Sequence, residues 1–82
     1  MAKLDLSDFY AMHTFGRKAA GEGSGEALEQ AAIFLAVCDE SETNALVMEF
    51  HEGVRNNADD QYHTDMVMNA LHFKTLELIK ES

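Results

Sequence analysis

Four histidines, one cysteine and fifteen carboxylates are the groups of this chain that could carry chemistry. Metal binding is the first to weigh. Asp60 and His63 stand three residues apart, a spacing that puts both on one face of a helix. Di-iron helical bundles use a carboxylate and a histidine at that spacing, but twice, with further glutamates on facing helices. The nearest second copy here is Asn69 with His72, and asparagine is a poor ligand for that chemistry. Glu49 and His51 are two apart and diverge on a helix. No Cys-x-x-Cys or His-Glu-x-x-His pattern occurs. The expectation is no metal and no cofactor. His13 should be half-buried on its helix, with His51, His63 and His72 as surface or interface groups.

Covalent catalysis is no better supported. Cys38 closes an apolar run and is followed by Asp39 and Glu40. Acidic neighbours oppose formation of a thiolate nucleophile, so a buried structural thiol is the stronger reading. No serine, histidine and acid fall in a recognisable nucleophile arrangement. Gly21-Glu22-Gly23-Ser24-Gly25 has the glycines of a phosphate cradle, with Arg17 and Lys18 before it. It lacks the Walker spacing and the Gly-Lys-Ser/Thr ending, and Glu22, Glu26 and Glu29 would repel a phosphate. It reads as a linker. A chain this small also has little room for a shielded pocket. No enzymatic activity is expected.

The most unusual feature is where charge sits. Fifteen acids against six bases give a net charge of −9. Between Lys18 and Arg55 there is no lysine or arginine, while Glu22, Glu26, Glu29, Asp39, Glu40, Glu42, Glu49 and Glu52 all fall there. A solvated acidic face is the ordinary reading. The functional reading is a docking surface, with Glu26, Glu29, Asp39, Glu40, Glu42, Glu49 and Glu52 as its partner-binding residues. Carboxylates on helices can imitate a row of phosphates and compete for the lysines and arginines of a nucleic-acid-binding protein.

The same charge excludes other classes. Binding a nucleic-acid backbone directly needs clustered lysine and arginine. Docking on an anionic membrane needs them too. The longest apolar run, Ala31–Cys38, is far short of the ~20 residues of a spanning helix. The first residues do not read as a signal peptide. A single cysteine allows no internal disulfide and fits a reducing compartment, so a cytoplasmic location is expected. Small, acidic helical chains without cofactor motifs are common among phage and mobile-element accessory proteins.

Eighty-two residues make one domain, and 46% of them are hydrophobic, enough for a globular core. Proline is absent, so glycines and caps must punctuate the chain. A first helix is predicted from about Ser7 to Ala20, with Ser7 as N-cap and Gly16 marking a close helix crossing. A second runs from about Glu26 to Cys38 and, being apolar on all sides, should be the central element. A third, capped by Ser41, runs from about Glu42 to Arg55, with Gly53 and Asn56-Asn57 as its frayed end. A fourth runs from about Asp59 to Lys80, started by Asp59 and Asp60. It carries two apolar stripes. One holds Tyr62, Met66, Asn69 or Ala70, Phe73 and Leu76. The other holds Val67, Leu71, Leu78 and Ile79.

Two stripes are more than one neighbour covers. The expected architecture is therefore all-α, a compact bundle of four helices, with the second and fourth supplying most of the core. It should be homo-oligomeric, with Met66, Val67, Leu71, Leu78 and Ile79 at the interface. The expected function is a non-enzymatic protein-binding module or small inhibitor for a basic partner. The alternatives are a ligand- or metal-binding oligomer using His13, His51, His63, His72 and Asp60, or a purely structural subunit.

Overall fold

Helix boundaries in a chain without proline are set by whichever side chain can satisfy the orphan N–H groups of each first turn. In the computed structural model, which describes residues 5–81, four helices follow one another: α1 Leu6–Gly21, α2 Gly25–Val37, α3 Glu40–Arg55 and α4 Gln61–Glu81. No strand occurs among the described residues. The segment weighed above as a leader begins in residues 1–4, which lie outside them.

The start of α1 is a capping box. Asp5 Oδ1 accepts from the backbone N–H of Ser7 at 3.0 Å and of Asp8 at 3.3 Å, and Asp5 N–H donates to Asp8 Oδ2 at 3.0 Å. This reciprocity moves the start ahead of Ser7, the cap expected from sequence. Ser24 caps α2 by accepting from Ala27 N–H at 3.1 Å. Asp39 occupies the cap position of α3 without a side-chain bond, and Ser41 lies inside the first turn. Asp60 Oδ1 accepts from His63 N–H at 2.9 Å and begins α4, as predicted.

Packing centres on α1 and α3. Gly16 faces Phe50 and Val54, Gly53 faces His13 and Arg17, and Gly21 faces Asn57. The numbers rise together, so the two helices run in the same direction. A Cβ on Gly53 would overlap the His13 carbonyl oxygen, and one on Gly16 the Phe50 carbonyl oxygen. The crossing predicted at Gly16 is present. Gly53, expected at a frayed end, is instead its buried counterpart inside α3. Backbones this close admit Cα–H···O contacts and broad dispersion contact.

The buried core comes from Met12, Ala19 and Ala20 of α1, Ala31, Ala32 and Leu35 of α2, Leu46, Phe50 and Val54 of α3, and Leu71 of α4. The expectation that α2 and α4 supply most of it is corrected. The bulky fully buried groups are Phe50, Met12, Leu46, Leu71, Val54 and Thr64, four of them on α1 and α3. Nor is α2 covered all round: its alanines turn inward, while Ile33 and Val37 are exposed. Small residues let α2 approach closely but fill little volume. The radius of gyration, 11.7 Å, is that of a compact chain of this length.

Candidate functional site

The acidic residues singled out from sequence fall into three places. Glu26 lies in the first turn of α2, where the helix dipole favours it, and Glu29 lies one turn further on. Asp39, Glu40 and Glu42 gather at the start of α3. Glu49 and Glu52 lie on its second half, three residues apart. Since α2 has 13 residues and spans ~20 Å, the first group is separated from the second by about that distance. Contiguity in sequence therefore does not make one compact patch.

Five of these seven carboxylates are exposed; Glu42 and Glu49 are partly covered. Two are tied to bases of the same molecule. Glu49 Oε1 lies 3.4 Å from His13 Nδ1 across the α1–α3 crossing. Glu29 Oε2 lies 3.7 Å from Lys74 Nζ, which also reaches Glu77 at 3.4 Å. One oxygen of Glu42 is buried without a hydrogen-bond partner. Glu26, Asp39, Glu40 and Glu52 have no ion pair among the described residues, so their charge points to solvent.

Comparison with protein-family models, curated proteins and solved structures finds no match to this chain.

The histidines stand on α1, α3 and α4. Among the described residues no group of three or more His, Cys, Asp or Glu converges as a metal site. The pair at metal-ligand spacing, Asp60 and His63, is used to start α4. Asp60 caps the helix, and His63 Nδ1 accepts from the Asp59 N–H at 3.2 Å. The same Nδ1 lies 3.9 Å from Asp59 Oδ2. His13 is half-buried, as expected. His51 is partly covered and His72 is exposed.

Cys38 is half-buried against the core. Its Sγ donates to the Leu35 carbonyl at 3.4 Å and lies 3.4 Å from Thr43 Oγ1. The glycine linker contributes a turn: Gly23, at φ 64°, adopts the left-handed conformation between α1 and α2.

A groove of about 420 Å³ opens where the start of α3 and the end of α4 diverge, lined by Thr43, Asn44, Val47, Leu71, His72 and Thr75 among others. Its polar lining from Thr43 and Asn44 carried no sequence signal, because neither residue interrupts the helical pattern around it. No described helix is long and apolar enough to cross a membrane.

The five residues predicted at an oligomer interface divide between two environments. Leu71 is 1% exposed and belongs to the core. Val67 and Leu78 are half-buried against it. Met66 and Ile79 are exposed. The other predicted stripe is the open one: Tyr62, Met66, Phe73 and Leu76 all face solvent.

Proposed function

We propose that this protein is a non-enzymatic binding module, acting as a homodimer, that presents an acidic helical surface to a basic partner. The partner class it suits is a nucleic-acid-binding protein, whose lysines and arginines would meet carboxylates in place of phosphates. A reducing compartment such as the cytoplasm suits its unpaired thiol. The observation that carries the reading is the solvent-facing state, without an ion pair among the described residues, of Glu26 on α2, Asp39 at the cap of α3, and Glu40 and Glu52 on α3. Charge of one sign steers association, and carboxylates carried on helices need no ordering of the backbone on docking.

The test uses two resins, one carrying the wild-type chain and one carrying Glu26→Lys, Glu40→Lys and Glu52→Lys together. Proteins with basic nucleic-acid-binding surfaces should be retained by the first, released by salt, and lost from the second. The same set of proteins on both resins, or none on the first, overturns the proposal.

A further inference from the structure

On α4, Tyr62, Met66, Asn69, Phe73, Leu76 and Lys80 recur at alternating steps of four and three. That is the spacing of a coiled-coil seam. All six are exposed. Thr64, Val67, Leu71, Thr75 and Leu78, all buried or half-buried, lie on its other side, with the half-buried His63, Met68 and Lys74 on the flanks. One face of α4 is thus packed on the bundle, and a second, regular apolar face is left open opposite to it.

We propose that a second copy of this chain covers that face, with the two α4 helices antiparallel about a two-fold axis level with Leu71. The inference deepens the self-association included in the proposed function and names its surface. Three observations select this occupant. The first is charge. Most of the chain's net −9 repels a second copy, but α4 carries three acids and two lysines, a net of only −1. On this helix two such acidic chains can meet with little charge repulsion.

The second is complementarity. Antiparallel pairing sets Met66 against the partner's Leu76 and Asn69 against the partner's Phe73. It places the Lys80 ammonium by the ring of the partner's Tyr62, a cation–π arrangement. On one flank His63 meets the partner's Glu77, and Ala70 meets the partner's Ala70, where small side chains permit close approach. Parallel pairing would instead put Lys80 beside the partner's Lys80 and align the helix dipoles.

The third is area. Tyr62, Met66, Phe73 and Leu76 are 72%, 54%, 71% and 48% exposed. With ~150–250 Å² for a large side chain, they present about 500 Å² in one copy. Buried completely in two copies, these residues would supply about 1,000 Å², the least a specific interface needs.

Analytical ultracentrifugation of the full chain tests this. Wild type should sediment at twice the 9.1 kDa chain mass at micromolar concentration. Phe73→Glu should weaken the dimer about 30-fold or more while leaving the helical circular dichroism unchanged. Met48→Glu, at an exposed apolar residue of α3, should leave the mass unchanged. On a Cys38→Ser background, Ala70→Cys should oxidise to a disulfide-linked dimer. A monomeric wild type overturns both the self-association and the seam. A dimer indifferent to Phe73→Glu overturns the seam alone, and a dimer in which Ala70→Cys fails to cross-link overturns the antiparallel pairing. Charge reversal on α2 and α3 should leave the mass unchanged, so failure of the acidic-surface reading stays distinguishable.

Discussion

Gly16 and Gly53 each occupy the space that the other's helix would need for a side chain. A Cβ on Gly16 would overlap the Phe50 carbonyl oxygen and stand 3.1 Å from Val54 N, and one on Gly53 would stand 2.9 Å from Arg17 N. The obstructing atoms are backbone, so relief requires α1 and α3 to move apart. Gly16→Ala and Gly53→Ala should each destabilise the fold by ~1–3 kcal/mol, although alanine is the better helix former by up to ~1 kcal/mol. Gly25→Ala is the contrasting case. Nothing lies within 4 Å of its Cβ and its φ is not positive. It should stabilise by about 0.4–1 kcal/mol. Urea unfolding of the three variants checks the order, and a destabilising Gly25→Ala or a neutral Gly16→Ala would contradict it.

Why one of these glycines was legible and the other was not is a matter of context. Gly16 sits amid Phe9, Met12 and Ala19 at helical spacing, so it reads as a position where a helix gives up propensity for contact. Gly53 precedes Asn56-Asn57, the residues of an ending helix, and its partners His13 and Arg17 are far back in sequence. The four helices were legible because periodicity and capping residues are local, and first-turn acids mark α1, α2 and α3. The core assignment was not. Both stripes of α4 are apolar, and only three-dimensional packing places Leu71 inward and Phe73 outward. The acidic stretch was legible as composition, while its division into three groups depends on the length and direction of α2.

Leu71 and Phe73, two residues apart on α4, should therefore respond in opposite ways. Leu71→Ala empties a fully buried site and should cost ~2–5 kcal/mol. A domain of this size has only ~4–12 kcal/mol of stability, so much of the fold's margin is lost. Phe73→Ser, at an exposed position, should change the unfolding of dilute protein by no more than ~0.5 kcal/mol. Thermal melts at low protein concentration compare them. Equal losses would mean that α4 is rotated from the orientation described.

The capping box gives an acid-side pH dependence. The Ser7 hydroxyl, the Asp8 N–H and the Ser7 N–H, all donating to the Asp5 carboxylate, hold its pKa below the ordinary aspartate value, against an opposing desolvation. A group with a lowered folded pKa adds stability above its unfolded value of about 3.9 and loses it as pH falls through the folded value. Asp5→Ala should thus lower Tm at pH 7, and the difference from wild type should shrink toward zero by about pH 2. A difference that persists undiminished in acid would assign the effect to something other than the ionised cap.

Glu52 tests whether the acidic surface has a cost. It lies in the last turn of α3, Glu52–Arg55, where the helix dipole favours a cation. It has no ion pair among the described residues, and the chain already carries −9. Dipole and net charge both oppose it, so Glu52→Gln should stabilise the fold by ~0.3–1 kcal/mol at low ionic strength. The gain should diminish in about 1 M salt, where the screening length falls to ~3 Å. Glu29→Gln should give no such gain, because it forfeits the contact with Lys74. An acid that lowers stability where it stands is accounted for by binding and not by folding. Denaturant melts of both variants at two salt concentrations decide the matter, and a Glu52→Gln variant less stable than wild type at low salt would show that the carboxylate serves the fold instead.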